Sequence, residues 1–148
     1  FTQKVLWENL DFLIVDMPPG TGDTQLTFAQ EIRMDGVIII STPQEIALQD
    51  VKRGVRMFDK LKVKILGLVD NMSHFVGDDG KKYSIFGEGG VKRTAVEFKK
   101  DFLGEIPIDP EVGKQGDLGR PIVESNPDHE ISNIYFDFAK KVKKKFLI

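Results

Sequence analysis

Apolar residues along this chain fall into two patterns. In the first they are nearly unbroken: Phe12–Val15, Val37–Ile40, Ile65–Val69 and Phe102–Ile106. A short apolar run without polar alternation reads as a strand covered on both faces, as in a parallel sheet between helical layers. In the second pattern apolar residues recur every three or four positions, which makes a helical stripe. Val51, Val55 and Phe58 mark a helix ending near Lys62, and Val91, Ala95 and Phe98 mark another. Ile131, Ile134, Tyr135, Phe138, Val142 and Phe146 form the longest stripe, with Ser125 or Asn126 as its cap and Pro127 as its first residue. Thr42-Pro43-Gln44-Glu45 predicts a capping box with proline at the first helical position. A further helix starts near Thr24. Strands alternate with helices, without repeats, low-complexity stretches or linkers. This predicts a single doubly wound α/β domain over residues 1–148, with a mostly parallel sheet.

Ligands of open α/β sheets bind beyond the C-terminal ends of the strands. The first run ends in Asp16 and continues Met17-Pro18-Pro19-Gly20-Thr21-Gly22-Asp23. A carboxylate at that tip suits a magnesium ion or its water, and a glycine turn lets backbone N–H groups approach a terminal phosphate. The prolines stiffen the turn, while Gly20 and Gly22 admit backbone angles that other residues resist. After the third run comes Asn71-Met72-Ser73. An asparagine amide offers a donor and an acceptor together, which matches an adenine edge; asparagine also suits a plain turn.

The string Asp16-Met17-Pro18-Pro19-Gly20-Thr21-Gly22-Asp23 resembles the Walker B and switch II segment of the Mrp/ApbC family. These are MinD-type P-loop ATPases linked to iron–sulfur cluster assembly. The resemblance implies that Asp16 holds the magnesium shell, and that Gly20, Thr21 and Gly22 sense the γ-phosphate of ATP. Asp23 would cap the following helix and couple it to a partner subunit. Asn71, with Met72 beside it, would contact adenine. Gly104-Glu105-Ile106-Pro107-Ile108-Asp109-Pro110 resembles the family's second adenine-flanking segment. Pro107 and Ile108 would then pack on the base, with Asp109 next to them; a capped loop before a short helix is the alternative. Gly116–Val123 also resembles the family and is assigned a structural role. The implied protein is a cytoplasmic homodimer whose partners are iron–sulfur assembly or recipient proteins. The competing readings are a nucleotide-switched positioning or partition protein of the MinD/ParA type, and an inactive folded fragment.

Two departures stand out. The family's P-loop has the form K-G-G-x-G-K-[ST] and lies upstream of the Asp16 segment. Here the chain begins at Phe1, and only residues 1–11 precede the first strand, too few for that strand, loop and helix. The chain therefore reads as the C-terminal part of a P-loop ATPase domain, lacking the phosphate-binding lysines and inactive by itself. Gly87-Glu88-Gly89-Gly90-Val91-Lys92-Arg93-Thr94 is not a substitute, because no glycine directly precedes Lys92 and Thr94 is not adjacent to it. In the resembled fold the P-loop strand separates Phe12–Val15 from Val37–Ile40. Two bare edges are expected to close by direct pairing, by entry of Thr2–Leu6, or by self-association. The second departure is at Gly77 and Gly80. Many members carry a Cys-x-x-Cys pair there that bridges a cluster between subunits, whereas Gly77-Asp78-Asp79-Gly80 reads as a solvated turn.

Composition narrows the function further. The chain has no cysteine, which removes disulfides and every thiolate site and opposes a cluster held by this chain. Its 148 residues, 41% hydrophobic and 30% charged, suffice for one core. A net charge of −2 argues against a nucleic-acid surface. No apolar run approaches the ~20 residues of a membrane span. The basic tail Lys140–Lys145 reads as the solvated face of a packed helix rather than a membrane anchor. His74 and His129 form no catalytic set.

Overall fold

The computed structural model describes residues 4–18 and 22–146. Its central strand is β2, Ile65–Val76, which pairs with every other strand of the sheet. β1, Val37–Ser41, and β4, Phe102–Ile108, run parallel to β2 on opposite sides, so that Asp70 has Ser41 on one flank and Glu105 on the other. A short β3, Lys82–Tyr83, returns antiparallel against the end of β2. The helices are α1 (Asp23–Glu31), α2 (Glu45–Lys60), α3 (Gly90–Glu97), α4 (Pro110–Asp117), α5 (Ile122–Ser125) and α6 (Glu130–Lys144).

Side chains alternate across β2, and this sorts the helices onto two faces. Leu68 packs with Leu48, Val51 and Val55 of α2 and with Val91 and Ala95 of α3. Val69 packs the other way, with Leu103, Ile106, Ile122 and Ile131, over which Ile134, Phe138 and Val142 of α6 close. The sheet is thus covered on both faces, as the unbroken apolar runs predict. The expected strands Val37–Ile40, Ile65–Val69 and Phe102–Ile106 are all present. The last two extend to Val76 and Ile108 because their ends ladder with each other at Phe75 and Ile108.

The first run behaves differently. Phe12–Val15 is not a strand: it joins no ladder, and Ile14 is 90% exposed. A strand needs a neighbour to accept its hydrogen bonds, and none stands beside this run among the described residues. The outer edge of β1 is likewise unpaired there, and Ile40 is 60% exposed. Neither expected local repair forms among the described residues. Phe12–Val15 does not pair with β1, and Lys4–Leu6 does not enter the sheet; Thr2 and Gln3 lie outside the described residues. What contact Phe12 has is an edge-to-face packing on Phe146, with centroids 5.6 Å apart.

Two helix starts also differ from expectation. α2 begins at Glu45 with Gln44 as N-cap and no side-chain cap, so the Thr42 capping box does not form. Pro43 is buried instead, its carbonyl packed so closely on Gly90 that a Cβ there would sit 2.7 Å away. The turn serves packing, and the helix begins after it. α6 begins at Glu130, not Pro127. His129 is its N-cap, and its Nδ1 accepts from the Ile131 N–H at 3.2 Å. Ser125 closes α5, and the Asn126 carbonyl accepts the Ser132 hydroxyl at 2.7 Å. Ser125-Asn126-Pro127 is therefore the hinge between two helices rather than the start of one. The tail lysines bind back to the sheet: Lys141 donates to the Leu103 carbonyl at 2.6 Å, and Lys145 pairs with Asp101.

Candidate functional site

The C-terminal edge of the parallel sheet brings together Ser41 at the end of β1, Asp70–His74 of β2 and Ile106–Asp109 of β4. Asn71 does not follow its strand, as the run Ile65–Val69 suggests; it lies within β2, half-buried, in register with Ile106. Just beyond it the ladder breaks. Asn71 pairs with Ile106 and Phe75 with Ile108, so Met72, Ser73 and His74 bulge opposite Pro107. Met72 adopts a left-handed backbone, φ 54°, uncommon for a residue other than glycine or asparagine. The Ser73 hydroxyl donates to the Ile106 carbonyl at 3.3 Å and lies 3.0 Å from His74 Nδ1, pinning the bulge to β4. The structure therefore sets Asn71, Met72, Pro107 and Ile108 on one edge. Asp109 belongs to the same edge, but its carboxylate is engaged. Oδ1 accepts from the Glu111 N–H at 2.8 Å as the N-cap of α4, and Oδ2 lies 3.7 Å from His129 Nε2.

The described residues expected on the phosphate side lie outside the sheet. Asp16 is exposed on a segment that joins no strand. Gly22 is the N-cap of α1 and Asp23 its first residue, so the cap expected of Asp23 falls one position earlier. Gly20 and Thr21 lie outside the described residues. Among the described residues no group of three or more His, Asp or Glu is placed to hold a metal. One exposed carboxylate does not make a magnesium site, and Asp16 alone does not fit the ion. Gly87–Thr94 becomes the start of α3, with Gly89 left-handed at φ 63° and Arg93 donating to the Glu88 carbonyl at 2.7 Å. Arg93 thus holds the turn before its helix and lies 3.9 Å from Glu45 of α2.

The Gly77–Gly80 turn closes the β2–β3 hairpin. Asp79 accepts from the Lys81 N–H at 3.0 Å and from the Tyr83 hydroxyl at 2.9 Å, and the Lys81 bond, then Tyr83, hold its carboxyl below the usual carboxylate range. A Cβ on Gly77 would lie 2.8 Å from the Tyr83 ring, and Gly80 is left-handed at φ 73°. Cluster ligands do not fit this turn: it lacks thiolates, and its own hydrogen bonds fill it.

Asp70 is the residue that sequence reasoning passed over. It is 1% exposed, and neither carboxylate oxygen has a hydrogen-bond partner among the described residues. Burial, reinforced by the Glu105 carboxylate, pushes its pKa up to about 6. The signal was present: Val69-Asp70 ends an apolar run just as Val15-Asp16 does.

Comparison with known proteins places this geometry. The model of the family described as "ParA: NUBPL iron-transfer P-loop NTPase" matches residues 1–143. An "Iron-sulfur cluster carrier protein" of Aquifex aeolicus is 47% identical over 141 residues, covering 95% of this chain and 39% of that protein. The "Iron-sulfur protein required for NADH dehydrogenase, mitochondrial" of Arabidopsis thaliana is 46% identical over 144 residues, covering 97% of this chain and 46% of that one. The chain thus spans less than half the length of these relatives. Among solved structures, a nucleotide-binding protein from Archaeoglobus fulgidus in complex with ADP superposes with TM-score 0.70 at 42% identity, over 80% of this chain and 49% of that one. The cell division ATPase MinD of Pyrococcus furiosus, at 19% identity, shares the fold with TM-score 0.72 over 93% of this chain and 54% of that one. With the match running through both helical layers and the Asn71 edge, the chain belongs to the NUBPL iron-transfer P-loop NTPase family.

Proposed function

We propose that this chain is the base-recognising half of an ATP-hydrolysing domain that drives transfer of iron–sulfur clusters. The observation that carries the reading is the placement of Asn71 beside Ile106–Ile108 at the C-terminal sheet edge, in a chain matching the family over residues 1–143. Asn71 would read the adenine edge, with Pro107 and Ile108 packing against the ring. Asp16 would join the magnesium shell and Gly20, Thr21 and Gly22 would sense the γ-phosphate once a segment carrying the P-loop stands between them and β1. Asp23, at the start of α1, would couple that switch to a second subunit. The bare edge of β1 and the exposed apolar run Phe12–Val15 support this, because both have the surface that a missing strand would cover. In this reading the protein works in the cytoplasm as a homodimer, with iron–sulfur assembly or recipient proteins as partners. No helix among the described residues is long and apolar enough to cross a membrane.

The cluster is cargo in this scheme, and the residues of this chain are not its ligands. The chain contributes nucleotide reading and a switch, not thiolates. By itself it is inactive as an ATPase. Calorimetry with Mg-ATP tests the division of labour. The isolated chain binds more weakly than low-micromolar, and a P-loop-bearing form binds tightly and loses affinity when Asn71 is replaced by Ala. Low-micromolar binding by the isolated chain, or an Asn71→Ala variant of the P-loop-bearing form with undiminished affinity, overturns the reading. Anaerobic reconstitution of the isolated chain leaves no stoichiometric iron and sulfide after desalting.

A further inference from the structure

We propose that Asp70 is a proton-linked positioning residue: uptake of one proton at its buried carboxyl sets the conformation of the β2 bulge that presents Asn71 and Met72. The argument begins with what surrounds the carboxyl. On β1 its ladder partner is Ser41, whose hydroxyl is turned away and donates to the Thr42 carbonyl at 2.9 Å. On β4 its partner is Glu105, a like charge. Around Leu68, two residues before Asp70 on β2, α2 contributes Leu48 and Val51 and α3 contributes Val91, none of them charged; the buried Thr94 hydroxyl of α3 is committed to the Gly90 carbonyl at 3.0 Å. His74 lies beyond Glu105, its Nδ1 4.0 Å from Glu105 Oε2 and 3.0 Å from the Ser73 hydroxyl. Among the described residues, the charge that acts on Asp70 is the anion Glu105.

A buried carboxylate without a donor has two solutions. It takes up a proton and, as a neutral acid, donates a hydrogen bond, with Glu105 the available acceptor. Otherwise it stays ionised and is drawn toward whatever N–H the backbone can bring to it. The backbone that can move is the stretch directly following it. There the ladder with β4 is interrupted, and Met72 already holds a left-handed conformation that side chains resist. The protonation state of Asp70 and the setting of the bulge are therefore alternatives of one switch. Burial and Glu105 raise the midpoint of that switch to about 6, within reach of modest acidification. That the setting matters for a base rests on the reading of Asn71 above; the switch itself does not.

Amide NMR spectra of the chain between pH 5 and pH 8 test it. The Asn71, Met72 and Ser73 signals shift together with a common midpoint near 6. Asp70→Asn abolishes the shared transition, while Glu105→Gln moves it to lower pH by removing the like charge. Asn71→Ala leaves the transition at Met72 and Ser73 intact, so loss of base recognition and loss of the switch separate. Signals that stay flat across this range, or a transition that survives in Asp70→Asn, would sink the proposal.

Discussion

Phe12-Leu13-Ile14-Val15-Asp16 and Leu66-Gly67-Leu68-Val69-Asp70 are nearly the same sentence in sequence, an apolar run closed by an aspartate, and they meet opposite fates. The second lies at the centre of the sheet, with a parallel strand on each side and helices on both faces. Its Leu68 is completely buried and its aspartate almost so. The first lies outside the sheet with its side chains partly or, at Ile14, almost wholly in solvent, and its aspartate is exposed. Hydrophobicity is the same kind of free energy in both places, but it is realised only where neighbours remove the surface from water. A strand adds a stricter condition, since each N–H and C=O it buries must find a partner on another strand. β2 meets both conditions. Residues 12–15 meet the first only in part, as where Phe12 packs on Phe146, and the second not at all among the described residues.

The contrast breaks most readily at the leucine. Leu68→Ala costs about 2–5 kcal/mol of stability, by lost transfer energy and the cavity left between α2 and α3. Ile14→Ala costs less than about 0.5 kcal/mol, as for other exposed positions. Urea denaturation of the two variants measures the difference; equal losses would show that residues 12–15 are packed after all.

The two aspartates sharpen it next. Asp70 has a raised pKa, about 6 against 3.8, so the folded state holds its proton more tightly than the unfolded one. Its ionisation penalty is fully present above about pH 6 and fades as the pH falls through 6 toward 3.8. At 1.36 kcal/mol per unit, the penalty is roughly 3 kcal/mol in order of magnitude. Asp70→Asn therefore raises the thermal midpoint at pH 8 and leaves it nearly unchanged at pH 4. Asp16→Asn leaves the melting curve alone at both values. A wild-type midpoint that does not rise between pH 8 and pH 5, relative to Asp70→Asn, contradicts the burial.

A smaller effect reports how far β2 and β4 depend on the helix that covers them. His129→Ala removes the N-cap of α6 and loses about 1 kcal/mol, measured by chemical denaturation. The smallest change in stability comes at the open edge. Ile40→Lys leaves the unfolding free energy within about 0.5 kcal/mol while placing a charge on an edge strand whose outer side is unpaired among the described residues. Light scattering of the wild type should then show self-association that the lysine suppresses. A wild type monomeric at high concentration would mean that the β1 edge recruits no second copy.

Much of the site was legible for reasons that the comparison makes plain. Asn71 and the Ile106–Ile108 segment belong to the ends of two of the three apolar runs that do become strands, so their arrival on one edge follows from the sheet topology. Asp70 was overlooked although it obeys the strand-tip pattern used for Asp16, because the richer Pro-Gly string after Asp16 drew the reading. Whether a tip aspartate is exposed or sealed under two helices is not written in its neighbours along the chain. The helix starts were misplaced for a related reason. Pro43 and Asn126 are spent on contacts with Gly90 and Ser132, distant in sequence or reached only after the chain turns.

The sequence by itself determined the alternation of strands and helices, the two-sided character of the sheet, the stripe that lets α6 pack, and the strings that mark the family. These depend on periodicity and on local chemistry, which the order of residues carries completely. The tertiary structure decided which apolar run became a strand, which aspartate lost its water, where α2 and α6 began, and that β2 bulges at Met72. Each of those is an outcome of pairing, and a hydrogen-bond ladder or a buried charge takes its energy from residues that the chain brings near only once it has folded.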